Sequence, residues 1–261
     1  MENDLAIAVI LYHPTDAEVA ALRTLSNWGG RLILFDNGTT HALACFSPRT
    51  EVLGDGTNAG VSRGLNAILD QAFVKGREKF VLFLDQDSIV DTDVLQNAWK
   101  DISKLLDQNA IPSLRENDEA TVRIEPIRLL INSGTIFTFT AWDDIGGMDE
   151  RYFVDGVDYD YSFRLYRAGY SMYAFGVKDL FDHSTHQAGR SVRVLGKKIW
   201  IRNYGSRYRG IYGSLIRLLA KSVIALELKY TIVFSKALVV TLTGHLVSYA
   251  LGARNTERSK N

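Results

Sequence analysis

Phe80–Ser88 reads FVLFLDQDS: five apolar residues run without interruption into Asp85, Gln86, Asp87 and Ser88. A run so short, unbroken and rich in aromatic and branched residues predicts a strand buried on both faces, the habit of parallel sheets covered by helices. Two carboxylates at i and i+2 just beyond such a strand can face one cleft and share a hard divalent cation. Mg²⁺ and Mn²⁺ prefer oxygen ligands and leave coordination positions for phosphate oxygens. Asp and Ser also favour solvated turns, so the surrounding sequence has to decide between a site and a turn.

Upstream, Leu5–Tyr12 (LAIAVILY) and Arg31–Phe35 (RLILF) repeat the apolar run and end in His13-Pro14 and Asp36-Asn37-Gly38. Between the runs lie helical spacings: Val19, Leu22 and Leu25 in Glu18–Leu25, then Leu65, Ile68, Leu69, Ala72 and Phe73 in Gly64–Lys75. Buried strands alternating with amphipathic helices predict an α/β domain with a parallel sheet. Ligands of such sheets bind at the carboxyl ends of the strands, and all three runs end in polar residues. Downstream, residues 107–128 are polar, contain Pro112 and Pro126, and predict a loop. Ile127–Phe139 has strand character broken at Asn132-Ser133-Gly134, and Ser162–Ala168 predicts a helix ended by Gly169.

The 261 residues are 46% hydrophobic and 23% charged, which suits one large domain, or one with a tail, and excludes disordered or collagen-like chains. A single Cys45 excludes a disulfide framework and a cysteine zinc site, and fits a reducing compartment. The opening MENDLAIAVILYHP lacks the basic start and small-residue cleavage site of a secretory signal. The net charge of zero conceals a division. Residues 190–261 hold 14 Lys/Arg and 2 Asp/Glu, leaving 16 and 28 in residues 1–189. A basic end on an acidic body predicts a polyanionic partner.

Gly213–Ala253 is apolar but interrupted by charge, and its longest uncharged run, Ala237–Ala253, falls short of the roughly 20 residues of a spanning helix. On one continuous helix of about 100° per residue, Arg217, Lys221, Lys229 and Lys236 fall within an arc of about 120° beside a wide apolar face. That pattern predicts a helix lying in a membrane interface; the alternative is a pair of helices packed on the acidic body. Nucleic acid is disfavoured as a partner, because the basic segment is apolar rather than a solvated surface with stacking aromatics.

Two further segments carry chemistry. Asp55–Asn66 (DGTNAGVSRGLN) is neither a P-loop nor a dinucleotide fingerprint. Its Gly60 and Gly64 allow close backbone approach, Asn58, Ser62, Arg63 and Asn66 offer donors, and a helix starting near Ser62 would aim its amino end at an anion. In Gly146–Tyr170, acids at 149, 150, 155, 158 and 160 crowd the start of a helix, where they complement its dipole. Asp155, Asp158 and Asp160 also sit among Phe153, Val154, Val157, Tyr159 and Tyr161, which would limit water and raise a carboxylate toward a useful base.

The ordered set DNG (36–38), NAGVSRGLN (58–66), FLDQDS (83–88), SGT (133–135), W-x-x-IGGMDERYF (142–153) and VDYDYSFRLYRAGY (157–170) resembles family-two glycosyltransferases, most closely their bacterial rhamnosyltransferase group. The resemblance implies a GT-A fold: a Rossmann-like α/β catalytic domain with a mostly parallel central sheet over residues 1–190, followed by a basic region of amphipathic helices over residues 191–261. It implies inverting transfer of a sugar from dTDP-L-rhamnose, or alternatively a UDP-linked hexose, to a hydroxyl of a lipid-linked saccharide in bacterial surface polysaccharide synthesis. The place would be the cytoplasmic face of the inner membrane, held peripherally through residues 190–253, with a homo-oligomer left open.

Residue by residue, the resemblance assigns the nucleotide sugar to Tyr12, Asp36, Asn37, Asn58, Gly60, Arg63, Asn66, Asp85 and Gln86. It assigns a Mg²⁺ or Mn²⁺ ion to Asp85, Asp87 and His186 of DHSTHQAG, and the acceptor to Trp142, Asp143 and Gly134. The acidic run usually reads E-D-x-D, so Val157 stands at the Glu, Asp158 at the base and Asp160 at the last Asp. Asp155 is the other candidate base. A second resemblance is to haloacid-dehalogenase-type phosphatases, which use the first Asp of D-x-D as a nucleophile. There the strand comes first in the core domain, and the fourth motif residue is usually Gly where Ser88 stands.

Overall fold

LAIAVIL forms β1 (Leu5–Leu11), and all seven residues are buried. A strand without polar alternation needs cover on both sides, and the rest of the chain supplies it. The computed structural model describes residues 1, 3–41, 43, 46–119, 121–182, 189–194, 197–202 and 207–258. They divide into two compact units, Met1–Thr185 and His186–Asn261.

In the first unit β1 is followed by α1 (Asp16–Leu25), β2 (Arg31–Asp36), β3 (Thr50–Leu53), α2 (Val61–Asp70), β4 (Phe80–Asp85), β5 (Ile89–Val90) and α3 (Thr92–Leu106). Then come β6 (Ala110–Glu116), β7 (Arg123–Pro126), β8 (Ile136–Thr138), α4 (Phe139–Ile145), α5 (Val157–Arg167), β9 (Ser171–Val177) and β10 (Phe181–Asp182). The main sheet has the order β3-β2-β1-β4-β8; its first four strands are parallel and β8 is antiparallel to β4.

Alternate residues of β1 serve alternate faces. Leu5, Ile7, Val9 and Leu11 share a core with Leu22 and Leu25 of α1 and with Leu95, Ala98, Ile102 and Leu106 of α3. On the other face lies α2, so close that a Cβ on its Gly64 would meet Ile10 and Phe35. The result is a sheet between two helical layers. Register then positions the polar ends, since Leu11 pairs with Asp36 and Ile10 with Asp85. The two acidic strand ends emerge nearly level.

Residues 107–128 depart from the predicted loop. They contribute β6 and β7, which flank β9 in a three-stranded sheet. Pro112 and Pro126 obscured this: Pro126 is the last residue of β7, an edge strand paired with β9, while β6 pairs with β9 and also meets Thr135 through a single bridge at Ser113, next to Pro112. Ile127–Phe139 is likewise mostly irregular, with strand only at Ile136–Thr138, and α5 begins at Val157, ahead of the predicted Ser162.

The second unit opens with a β-hairpin, β11 (Gly189–Val194) and β12 (Lys197–Arg202), where a purely helical region was expected. It continues into α6 (Tyr208–Ile224) and α7 (Leu228–Arg258). These helices are antiparallel: Tyr208 stacks on His245 at 3.7 Å between ring centres, and Thr231 Oγ1 lies 3.1 Å from Ser222 Oγ near the turn. The expected single basic arc is therefore split. Arg217 and Lys221 belong to α6, while Lys229 and Lys236 belong to α7. No helix among the described residues is long and apolar enough to cross a membrane.

Candidate active site

The polar ends of β1, β2 and β4 are bound to one another before any ligand is considered. Gln86, between the two carboxylates of Asp85-Gln86-Asp87, turns back to the end of β1. The Tyr12 backbone N–H donates to Gln86 Oε1 at 2.8 Å, and Gln86 Nε2 donates to the Tyr12 carbonyl at 3.2 Å. The middle residue of the motif thus serves the scaffold. Ser133 supports the same strand end by accepting from the Asp85 N–H at 2.9 Å, while Gly134 donates its N–H to the Phe83 carbonyl at 2.8 Å. Gly134 has φ of +82°, and a Cβ there would collide with the Leu114 carbonyl. Its fixed place is a backbone junction.

Beside this, Asp36 accepts the N–H groups of Gly38 (3.1 Å) and Thr39 (2.9 Å), and Gly54 and Gly56 pass close against it. The Tyr12 ring, 48% exposed, lies over Gly38. An exposed aromatic face next to a fixed carboxylate suits a planar base with a donor edge. Asn37 is buried and accepts the Ala59 N–H at 2.7 Å, so it ties β2 to the glycine loop. Within that loop Asn58 Oδ1 accepts from the Gly60 N–H at 3.1 Å. Val61, the first residue of α2, donates to the Phe153 carbonyl at 2.7 Å, and a Cβ on Gly60 would lie 2.6 Å from that oxygen.

Arg63 and Asn66, expected at the nucleotide, are engaged elsewhere. Asn66 accepts the Met148 N–H at 2.6 Å and donates to the Met148 carbonyl at 3.0 Å, and Arg63 pairs with Glu150 at 2.9 Å. One turn of α2 therefore holds the Gly147–Glu150 segment. A second hold comes from α5: Arg164 donates to the carbonyls of Ile145 (2.8 Å) and Gly147 (2.7 Å) and to Asp160 at 2.8 Å. Asp160, expected among the catalytic carboxylates, is fully buried in this ion pair and serves packing. The i, i+4 spacing of Asp160 and Arg164 was a legible sign of the pair. Ser133 and Phe153 carried no such signal, because their roles are made by backbone groups remote in sequence.

Asp158 behaves differently. It is half-buried at the start of α5, and its carboxyl is pushed up to about 6. Loss of water is the main cause, opposed by the Tyr159 N–H at 2.9 Å, and the like charges of Asp155 and Asp85 push the same way as burial. The charges of Asp85, at the end of β4, and of Asp155, just before α5, thus act on Asp158. Asp155, Asp158 and Asp85 together crowd negative charge where a cation would relieve it.

The donor set fits Mg²⁺ or Mn²⁺. Hard carboxylate oxygens on Asp85 and Asp87 would supply two ligands, and ions of this kind readily fill the rest from water and phosphate. Among the described residues no three His, Cys, Asp or Glu side chains converge as a complete ligand cluster. His186, the expected third ligand, lies outside the described residues.

Trp142 and Asp143 belong to α4, which starts at the other end of the sheet. Thr138 of β8 pairs with Phe80, and Phe139 donates to the Lys79 carbonyl, so α4 starts at the amino end of β4, opposite Asp85. Trp142 packs there against Phe73 at 5.7 Å and Phe139 at 6.1 Å between ring centres. Its expected role at the acceptor is replaced by an aromatic contact, because the antiparallel direction of β8 carries the helix downward. A surface cleft of about 330 Å³ also lies at the amino ends of the strands, lined by Arg31, Arg49, Glu51 and Glu78. Its Arg31 is already paired with Glu51 and with Glu78.

No family model matches the chain. It is 24% identical to the dTDP-rhamnosyl transferase RfbF of Shigella flexneri over 262 residues, spanning 90% of this chain and 86% of that one. Among solved structures, residues 1–349 of TarS from S. aureus superpose with a TM-score of 0.52 at 16% identity, covering 94% of this chain and 72% of that one. The fold is that of the GT-A glycosyltransferases. The GT-A frame places β4 after β1, β2 and β3 in the chain, unlike the phosphatase frame in which the D-x-D strand comes first.

Proposed function

We propose that this protein is a glycosyltransferase that moves L-rhamnose from dTDP-L-rhamnose onto a hydroxyl of a lipid-linked saccharide, with inversion at the anomeric carbon. The observation carrying this reading is the GT-A fold, in which the register of β1, β2 and β4 brings Asp36 and Asp85 to the same edge of the sheet. The 24% identity to a dTDP-rhamnosyl transferase, over most of both chains, supports the choice of donor.

In this reading the Tyr12 face and Asp36 receive the nucleobase, and the loop from Asn58 to Val61 lies along the nucleoside. Asp158 takes the proton from the acceptor hydroxyl as that oxygen attacks. A carboxyl raised to about 6 is a better base than an ordinary aspartate and is still largely ionised at neutral pH. Asp155 helps by repulsion, keeping that proton affinity high. A divalent cation at Asp85 and Asp87 would supply positive charge to the diphosphate as it departs. Direct displacement needs no covalent enzyme intermediate. The protein would work at the cytoplasmic face of the inner membrane, its basic region drawn to anionic head groups.

Thermal melting with nucleotide sugars tests the donor, because a ligand that binds the native state raises its melting temperature. The expected result is a larger shift with dTDP-L-rhamnose plus Mn²⁺ than with UDP-glucose or UDP-N-acetylglucosamine. A larger shift with a UDP sugar would reassign the donor, and no shift with any of them would overturn the reading. Asp158→Asn should keep the donor-induced shift and lose transfer. Full transfer by that variant would move the base to Asp155.

A further inference from the structure

The turn between α6 and α7 combines three features that a solvent-facing connection does not need. First, Ile224, Leu226 and Leu228 are 83%, 89% and 71% exposed, with Val223 and Ile232 exposed beside them. Second, the turn is tightly made. Ala225 donates to the Lys221 carbonyl, Leu226 to Val223 and Glu227 to Ser222 at 2.9–3.1 Å, and Thr231 Oγ1 links back to Ser222. These bonds form the helix-ending motif that commonly places glycine in the left-handed position. Here the residue at φ of +56° is Leu226. A branched side chain is strained in that region, and this one recovers nothing by burial within the chain. Third, the apolar tip is collared by basic charge: Lys229 and Lys236 are exposed on α7, and Glu227 is the sole acid between residues 190 and 256.

We propose that the α6–α7 turn is a lipid-inserting tip, with Ile224, Leu226 and Leu228 entering the acyl boundary of an anionic bilayer while Lys229 and Lys236 meet its head groups. Apolar groups then leave water, and the lysines keep their charge at the level of lipid phosphates, where basic residues are attracted electrostatically. The strained Leu226 becomes intelligible, since glycine would close the same turn without strain but contribute nothing to insertion. The inference deepens the membrane association proposed above and rests on it. It replaces a helix lying flat along one arc by a pointed contact at one end of the hairpin.

The test is sedimentation of the full chain with vesicles of phosphatidylcholine alone or containing about one-third phosphatidylglycerol. The native protein should bind the anionic vesicles. The triple variant Ile224→Ser, Leu226→Ser, Leu228→Ser should bind them about tenfold more weakly or worse, with unchanged helical circular dichroism. A control pair on the exposed far part of α7, Val239→Ser with Leu246→Ser, should bind like the native protein. Undiminished binding by the triple variant would overturn the tip while leaving membrane association standing. Equal losses in both variants would indicate a helix lying flat and overturn it too. Failure of the native protein to bind anionic vesicles would remove the association itself. Dissociation of a native oligomer in the triple variant, without vesicle binding by either, would assign the surface to a second copy of the chain.

Discussion

The two sides of α5 treat the same functional group in opposite ways. Asp158 and Asp160 are two residues apart, about 200° around the helix. Asp160 faces the core and is fully buried, with Arg164 at 2.8 Å answering its charge and the same guanidinium gripping the carbonyls of Ile145 and Gly147. Asp158 lies on the other side, where the charges of Asp85 and Asp155 add repulsion. The paired carboxylate makes architecture. The crowded one keeps a raised proton affinity, which is what base catalysis requires. The difference shows that burial alone assigns no role to an acid; the sign of the charge brought beside it does.

Breaking the paired side should have the largest effect. Arg164→Met removes the buried Asp160 ion pair and frees the carbonyls of the Gly146–Gly147 turn, so stability measured by urea unfolding should fall by about 3–5 kcal/mol. A loss under about 1 kcal/mol would mean that the pair is dispensable.

Removing the crowded charge should act in the opposite direction. Asp158→Asn is expected to stabilise the fold by about 1–3 kcal/mol at neutral pH while transfer drops by about a hundredfold or more. The pH dependence supplies the sign. The carboxyl titrates near 6 in the folded chain against 3.8 for the ordinary group. Between about pH 4 and 6 the native state therefore binds more protons than the unfolded state, and this residue's contribution to stability declines as pH rises through that window. Above it the penalty is constant. Melting curves of the native protein and Asp158→Asn should accordingly converge toward pH 4 and separate by pH 7. Parallel curves throughout would show that Asp158 is not crowded in solution.

The smallest effect tests the support shared by both sides. Asn66→Ala removes two bonds to the Met148 backbone and should cost about 1–2 kcal/mol, measured by thermal melting. Donor affinity should weaken less than it would through a residue touching nucleotide. A large loss of donor binding with unchanged stability would restore Asn66 to the ligand.

Three strands of the main sheet were legible because LAIAVIL, RLILF and FVLFL are apolar without alternation, and only doubly covered strands read that way, whereas β3 (TEVL) is short and half polar and gave no such signal. The polar strand ends were legible for a related reason: Asp36 and Asp85 stop their runs at the level where the sheet meets solvent. By contrast, β6 includes Pro112 and Arg115, and β7 is exposed along its length. Their strand state comes from pairing with β9, a contact invisible in local composition. The helix break at Leu226 was hidden because Ala-Leu-Glu-Leu has neither glycine nor proline to announce it. Trp142 misled because an aromatic near a motif carries no mark of which end of the sheet it will reach.

From its residues alone this chain commits to a covered parallel sheet, to carboxylates at the strand ends and to a basic, apolar end, since hydrophobic periodicity and charge are local properties. Tertiary structure decided that Asn66 belongs to the Met148 backbone and that Asp158 is the raised acid. Those outcomes depend on water excluded and charges imported by segments distant in sequence, so no local pattern could contain them.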